Sequence, residues 1–166
     1  TEGSILVDGT QISTLKESQL AVYRRTKIGF IYQNFNLLPM LTVKENILFP
    51  LDIGNTKPDM DFFEELVRIL GLKERLDAMP QELSGGQKQQ AAIARALITK
   101  PALVLADEPT RSGQNVLGLL KMTSEHYRQT IVMNTHDLEL AQLADRIIRL
   151  EDGKITDGRK TYGDTL

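Results

Sequence analysis

The residues of this sequence that can do chemistry fall into a few short segments, and one of these is a serine followed by two glycines. Ser84-Gly85-Gly86-Gln87 precedes residues 88–100, an alanine-rich stretch with no turn-forming residue before Pro101. This pattern predicts a helix that begins in a flexible glycine loop, where unpaired backbone N–H groups attract an anion. Ser84 and Gln87 also have the spacing of a capping box, so a simple capped helix start is the alternative.

Two acidic side chains follow a continuous apolar run. Asp107 and Glu108 come directly after residues 102–106, whose sequence ALVLA is typical of a parallel strand buried on both faces. The carboxyl end of such a strand is the usual ligand edge of an open parallel sheet. Neighbouring carboxylates repel each other, and a cation or a polarised water would relieve that repulsion. The alternative is a solvated acidic turn.

Two further polar side chains follow predicted strands. His136 lies just beyond residues 130–133, and Gln33 directly follows residues 29–32. An imidazole can donate a hydrogen bond to a phosphate oxygen or hold an attacking water, and an amide oxygen can bind Mg²⁺ or hold a water. Taken alone, each residue is better explained as a capping, surface or turn residue.

The elements that must position these residues alternate along the chain. Strands are predicted for residues 4–7, 27–32, 102–106, 130–133 and 146–150, and helices for about 14–25, 42–48, 58–70, 88–100 and 137–144. Asp152-Gly153 predicts a hairpin turn. The two ends of the chain therefore predict an α/β layer, and the middle predicts an inserted helical subdomain within one domain.

Composition excludes several classes of protein. The 166 residues fit one domain, and 41% hydrophobic and 25% charged residues are ordinary globular values. A net charge of −2 gives no reason to expect nucleic-acid binding, and the absence of cysteine excludes disulfides and thiolate metal sites. No apolar run approaches the roughly 20 residues of a membrane span, and no signal peptide opens the sequence. We therefore expect a soluble, cytoplasmic protein that reaches the membrane only through a partner.

Together these segments resemble the ATP-binding subunits of ATP-binding cassette (ABC) transporters. LSGGQ at residues 83–87 matches the family signature, and LVLADEPT at residues 103–110 resembles Walker B with the catalytic glutamate. Gln33 in FIYQNFNLLP resembles the Q-loop, and His136 in VMNTHD resembles the switch histidine. The resemblance covers the chain in the family's order. RRTKIGFIYQNFNLLPMLTVKENI and ADRIIRLEDGKI resemble the exporter and extrusion subgroup, which handles lipoproteins, macrolides and antimicrobial peptides.

The resemblance implies a fold, cofactors and partners. The implied fold is α/β, with a P-loop NTPase-like (RecA-like) parallel-sheet core formed by residues 1–42 and 100–166. Residues 43–99 would form the inserted helical signature subdomain. Cassettes of this family pair head to tail around two ATP molecules with Mg²⁺ and serve a transmembrane permease. We therefore expect a second cassette, a permease, a place at the inner face of the cell membrane and no nucleic acid.

The resemblance also implies roles for individual residues. Asp107 would hold Mg²⁺ through water, and Glu108 would polarise the attacking water. His136 would contact the γ-phosphate, while Gln33 would touch Mg²⁺ or the attacking water and report to the membrane partner. The signature residues would bind the nucleotide held by the opposite subunit; they are Ser84, Gly85, Gly86 and Gln87.

Two nucleotide-binding segments of the family have no counterpart in this sequence. The Walker A motif G-x-x-x-x-G-K-[ST] occurs nowhere in the 166 residues, and in the family it lies upstream of the segment that begins here with Thr1. After Pro109-Thr110, the aspartate-bearing D-loop is shortened. We therefore expect an N-terminally incomplete core, either of a truncated cassette or of one whose loops are missing from the sequence. On its own, this chain should bind ATP weakly.

The expected function is ATP binding and hydrolysis that drive substrate export or extraction by a membrane partner. A non-catalytic or truncated cassette, which supplies only its signature loop in trans to an intact partner, is the alternative. Chromosome-maintenance and repair ATPases share the signature but carry long coiled coils. No sustained heptad occurs between Gln33 and Ser84, which argues against that class.

Overall fold

The structure is a computed structural model that describes residues 3–109 and 116–160. It contains two compact units, Thr1–Met133 and Asn134–Leu166. The strands are β1 (Leu6–Val7), β2 (Thr10–Gln11), β3 (Ile28–Ile31), β4 (Leu103–Asp107), β5 (Thr130–Asn134), β6 (Arg146–Glu151) and β7 (Lys154–Lys160). The helices are α1 (Glu17–Lys27), α2 (Val43–Ile53), α3 (Met60–Ile69), α4 (Gly85–Leu97), α5 (Val116–Tyr127) and α6 (Leu138–Ala141).

A three-stranded sheet with the order β3-β4-β5 organises the α/β part of the first unit. Strands β3 and β4 are parallel, with Ile28 opposite Leu103 and Ile31 opposite Ala106. The chain between these neighbouring strands contains α2, α3 and α4. The predicted α/β fold with a parallel sheet is therefore confirmed, and the helical block forms the connection between two adjacent parallel strands.

Helix α2 begins at the capping box that the sequence predicts. The Thr42 hydroxyl accepts a hydrogen bond from the Glu45 backbone N–H at 3.2 Å, and the Glu45 carboxylate accepts one from the Thr42 backbone N–H at 2.8 Å. The hydrogen bonds from the Thr42 backbone and hydroxyl lower the pKa of the Glu45 carboxyl. The helix continues through Pro50 to Ile53, beyond its predicted end near residue 48.

Two other helices begin later than their sequence patterns predict. Helix α1 has Lys16 rather than Thr14 before its first turn, and the Gln19 side chain accepts the Lys16 N–H at 3.0 Å. Helix α3 begins after Asp59 rather than at Pro58, because the Asp59 carboxylate can accept the Phe62 N–H, here at 3.1 Å. A helix start therefore depends on which nearby side chain captures a free backbone donor.

The core of the first unit lies between the sheet and these helices. The largest fully buried apolar side chains are Ile31, Val43, Ile47, Leu66, Leu70, Leu72, Ile93, Leu97, Val104 and Leu120. Helix α3 buries Phe62, Phe63 and Leu66, which recur with the predicted helical period. Sheet and helical block thus share one apolar cluster.

Strand β3 and helix α4 approach each other closely at a glycine. A Cβ atom on Gly29 would overlap the backbone carbonyl oxygen of Ala96 in α4 and would press on the ring of Pro101. A backbone atom cannot give way as a flexible side chain can, so the approach requires glycine at this position. This contact fixes α4 against the strand that leads to Gln33.

The second unit contains the hairpin of β6 and β7. Asp152 and Gly153 connect the two strands with φ values of 48° and 74°, and such positive values are typical of the two-residue turn that Asp-Gly predicts. Helix α6 is shorter than predicted. It begins after Asp137, whose carboxylate accepts the N–H groups of Glu139 and Leu140.

Candidate functional site

The structure brings Gln33 and the acidic pair to the same edge of the sheet. Ile31 in β3 lies opposite Ala106 in the parallel strand β4, so Gln33 and Asp107–Glu108 follow the carboxyl ends of neighbouring strands. Gln33 is exposed in a turn, Asp107 is exposed at the last position of β4, and Glu108 is half-buried. This is the edge where open parallel sheets bind ligands.

Glu108 has a backbone conformation that is uncommon for a residue with a side chain. Its φ is 42°, in the left-handed region, which costs about 1–2 kcal/mol relative to the right-handed conformation. In a continuing strand, Asp107 and Glu108 would point to opposite faces of the sheet. The left-handed residue ends that alternation. Strained positions of this kind cluster at functional sites.

The side chains at this edge fit a magnesium ion that takes most of its ligands from elsewhere. Among residues 3–109 and 116–160, no group of three or more acidic, histidine or cysteine side chains is close enough to hold a metal. Mg²⁺ commonly takes one or two protein carboxylates and completes its shell with water and substrate phosphates. The exposed Asp107 carboxylate and the amide of Gln33 match such a partial set.

The signature forms the first turn of α4, and its capping box is present. Ser84 Oγ accepts the Gln87 N–H at 3.3 Å, and Gln87 Oε1 accepts the Ser84 N–H at 2.9 Å. The two glycines are helical rather than part of a loop, because α4 begins at Gly85. The capping box leaves the amides of Gly85 and Gly86 as the remaining first-turn donors. With no side chain to cover them, these amides can face an anion.

The signature and the Gln33 turn lie at opposite ends of α4. Gly85 is the first residue of the 13-residue helix, while Arg95 near its end contacts the chain that follows Gln33. Ten residues of α-helix span about 15 Å along the axis. One chain therefore does not bring its signature to the turn that carries Gln33.

Two residues that the sequence analysis did not single out hold the segment after Gln33. Arg95 donates to the carbonyl oxygens of Phe35 at 2.7 Å and Asn36 at 2.5 Å. Burial lowers the pKa of the Arg95 guanidinium. The sequence does contain an indication of this role, which is a single arginine within AIARAL. A charged side chain within an alanine-rich helical stretch that is expected to be buried needs a specific partner.

Asn46 of α2 is the second of these residues, and it is completely buried. Its side-chain carbonyl accepts the Leu38 N–H at 2.7 Å. Its amide donates to the carbonyl oxygens of Leu38, Leu41 and Thr42 at 2.9 to 3.0 Å. Arg95 and Asn46 thus hold the two halves of the segment 35–42, one from each of two helices.

For two further predictions the structure gives no position at this edge of the sheet. His136 is exposed and belongs to the second unit, beside Thr135, whose hydroxyl accepts the Asp137 N–H at 3.1 Å. Its role toward a phosphate stays a prediction. The shortened D-loop after Pro109 falls on residues 110–115, which lie outside the described residues.

A cleft of about 460 Å³ opens beside the segment that follows Gln33, and it lies between α1, β3, α2 and α4. Its lining includes three aromatic and three arginine side chains, which are Phe30, Tyr32, Phe49, Arg24, Arg25 and Arg95. Arg25 Nε is buried and has no hydrogen-bond partner among the residues that the structure describes. The cleft therefore offers apolar surface and donors for acceptor groups.

Comparisons with known proteins agree on one family. The sequence profile of the family described as "ABC transporter" matches residues 1–111. The Bacitracin export ATP-binding protein BceA of Halalkalibacterium halodurans is 44% identical over 162 residues, covering 93% of this chain and 64% of that protein. The Macrolide export ATP-binding/permease protein MacB of Rhodopirellula baltica is 38% identical over 175 residues, covering 100% of this chain and 26% of that protein. The chain thus spans less than two thirds of BceA.

A solved structure shows the same architecture. It is the dimeric structure of a post-hydrolysis state of the ATP-binding cassette MJ0796 bound to ADP and Pi, with a TM-score of 0.84 and 36% identity. The match covers 98% of this chain and 75% of that chain. The MJ0796 sequence itself, from Methanocaldococcus jannaschii, is 39% identical over 175 residues.

Some of the alignments extend over more positions than the chain has residues. The match with MacB runs over 175 residues, whereas the whole chain has 166. These relatives therefore contain residues without a counterpart in this chain, and the shortening after Pro109 stays a prediction. Within the described ranges, no helix has the length and apolar character that a membrane crossing requires.

Proposed function

Since the chain belongs to the ABC transporter family, we propose that it is the ATP-binding and ATP-hydrolysing part of an export-type transporter. The observation that carries the proposal is the joint position of Gln33 and Asp107–Glu108 after neighbouring parallel strands. Phosphoryl transfer needs a metal ligand and a group that orients water at one place, and this edge offers both.

Within one chain, the acidic pair and Gln33 have separate roles. Asp107 holds Mg²⁺ through water, and Glu108 polarises the water that attacks the γ-phosphate. Gln33 touches the metal or that water. Asp107 is exposed at the end of β4, whereas Glu108 is half-buried and has a left-handed backbone, and this difference in environment supports separate roles. His136 donates a hydrogen bond to the γ-phosphate in this proposal.

The signature acts on the nucleotide of a second cassette. The distance of about 15 Å along α4 between Gly85 and Arg95 supports this assignment, because it separates the signature from the Gln33 turn of its own chain. The uncovered amides of Gly85 and Gly86 supply donors for a phosphate, within the segment Ser84–Gln87. The dimeric MJ0796 structure supports a paired arrangement. The second cassette is a copy of this chain or a related one.

A transmembrane permease is the proposed membrane partner. MacB, by its name, joins an ATP-binding part and a permease in one protein. The cleft beside the segment that follows Gln33 supports such a contact, since its aromatic and arginine side chains suit an apolar segment that carries carbonyl or carboxylate acceptors. The protein would then lie at the inner face of the cell membrane and drive export of the permease's substrate.

Phosphate release by the full-length protein tests this function. Because each site needs residues from two cassettes, the specific activity should rise with protein concentration before it levels off. Activity should also disappear when EDTA removes Mg²⁺ and return when Mg²⁺ is restored.

A specific activity that is independent of concentration down to the dilution at which the protein is monomeric would contradict the composite site. Activity that persists in EDTA would contradict the proposed requirement for Mg²⁺. If the full-length protein binds ATP but hydrolyses none, the non-catalytic alternative holds instead.

A further inference from the structure

The turn after Gln33 contains two consecutive residues in an unfavourable backbone conformation. Phe35 and Asn36 have φ values of 60° and 48°, in the left-handed region that residues with side chains rarely adopt. The carbonyl oxygens of both residues accept hydrogen bonds from Arg95. One guanidinium group therefore holds together the part of the turn that would otherwise relax most readily.

The chemistry of this contact requires arginine. A guanidinium presents several N–H donors in a rigid planar fork, so it can reach two neighbouring carbonyl oxygens at once. Hydrogen bonds from a charged donor are also stronger than neutral ones. A lysine ammonium in the same place is a point charge on a flexible stem and cannot reproduce the geometry.

The other end of the contact is fixed to the signature helix. Arg95 lies in the last turns of α4, next to Ala96, whose carbonyl oxygen packs against Gly29 of β3. The helix is continuous from Gly85 to Leu97 and is held against β3 at Ala96, so a tilt at its first turn rotates the helix about that contact and redirects the neighbouring Arg95 side chain. From Arg95 the movement reaches the carbonyl groups that follow Gln33 by two and three residues.

We propose that Arg95 is a positioning residue that sets the place of Gln33 according to the place of the signature helix. When a phosphate of the partner cassette's nucleotide binds at the start of α4, the resulting position of the helix fixes the turn and with it the Gln33 amide. The proposal rests on the proposed function of the two segments. In this role Arg95 acts through the carbonyl groups of Phe35 and Asn36 and not by contact with the nucleotide.

A double-mutant cycle in the full-length protein tests this coupling. The variants are Arg95→Gln, Gln33→Ala and the double variant, measured for kcat and KM of ATP hydrolysis. Arg95→Gln should lower kcat about tenfold, because a Gln33 amide that is no longer held in place orients the reacting groups less well. KM for ATP should stay within about twofold, because Arg95 does not bind substrate. In the Gln33→Ala background, the further loss from Arg95→Gln should nearly disappear.

Two controls separate positioning from folding. Arg75→Gln removes an exposed arginine elsewhere in the helical block and should leave kcat unchanged. Arg95→Lys keeps the charge, so it should melt close to the unchanged protein yet retain the reduced kcat. If Arg95→Gln does not fold, Arg95→Lys replaces it in the cycle.

The measured rates distinguish the positioning role of Arg95 from the proposed catalytic site. Losses from Arg95 and Gln33 that simply multiply, or a lysine that restores full kcat, would overturn the proposal. Hydrolysis that survives Glu108→Gln would instead overturn the proposed catalytic site. If Glu108→Gln stops hydrolysis while the Arg95 and Gln33 effects are independent, only the positioning role of Arg95 is wrong.

Discussion

Replacing Glu108 with glutamine should lower kcat for ATP hydrolysis by about 10²–10⁴-fold, the usual contribution of a general base. The amide has nearly the shape of the carboxylate but cannot accept the proton of the attacking water. The change does not alter the backbone preference, so the left-handed conformation of residue 108 should persist. Steady-state phosphate release by the full-length protein measures the effect.

The same variant should retain ATP-dependent dimers, because it removes the chemical step and leaves nucleotide binding intact. Slow hydrolysis should therefore make these dimers last longer and easier to detect by sedimentation. Glu64→Gln, at an exposed position in the middle of α3, is the matched control and should hydrolyse ATP normally. Hydrolysis by Glu108→Gln at the rate of this control would remove Glu108 from the mechanism.

Replacing Ser84 with arginine should abolish ATP-dependent dimerisation. The new side chain would fill the space at the start of α4 where the phosphate of the partner cassette's nucleotide is expected to lie. Sedimentation of the variant in the Glu108→Gln background, with and without Mg-ATP, gives the clearest measurement. In that background ATP is not hydrolysed, so hydrolysis cannot cause the dimer to dissociate.

Loss of the helix cap is a separate effect of this substitution, since Ser84 Oγ accepts the Gln87 N–H. Ser84→Ala removes the same cap, at a typical cost of about 1 kcal/mol of stability, without adding bulk. It should dimerise better than the arginine variant. Ser18→Arg, in the exposed first turn of α1, places an arginine at another helix start and should dimerise normally. Normal dimerisation of Ser84→Arg would exclude the role of the signature in trans.

The sequence could predict those parts of the site that local interactions determine. The Ser84–Gln87 cap depends on hydrogen bonds within one helical turn, and the acidic pair follows a run apolar enough to specify a strand. That strand is buried at Val104 and Ala106 but only half-buried at Leu103 and Leu105, rather than buried on both faces as predicted. Gln33 and the acidic pair share one edge of the sheet because the strands that precede them are parallel. The family resemblance implies this parallel sheet. The roles of these residues stay predictions.

The contacts that hold the Gln33 segment could not be predicted from local patterns. Arg95 reaches carbonyl groups 59 and 60 residues away in the sequence, so only the folded chain brings them together. The starts of α1 and α3 were misplaced for a different reason. Several side chains near each start can capture a free N–H, and the sequence does not say which one wins.

The close approach at Gly29 has a consequence for local unfolding. Because a backbone carbonyl of α4 occupies the space of a missing side chain, β3 cannot separate from the last turns of α4 without exposing both backbones to water. In amide hydrogen exchange, the protected amides of β3 and of these turns should therefore open as one cooperative unit. The strand that leads to Gln33 and the helix that carries Arg95 would then share one protection factor.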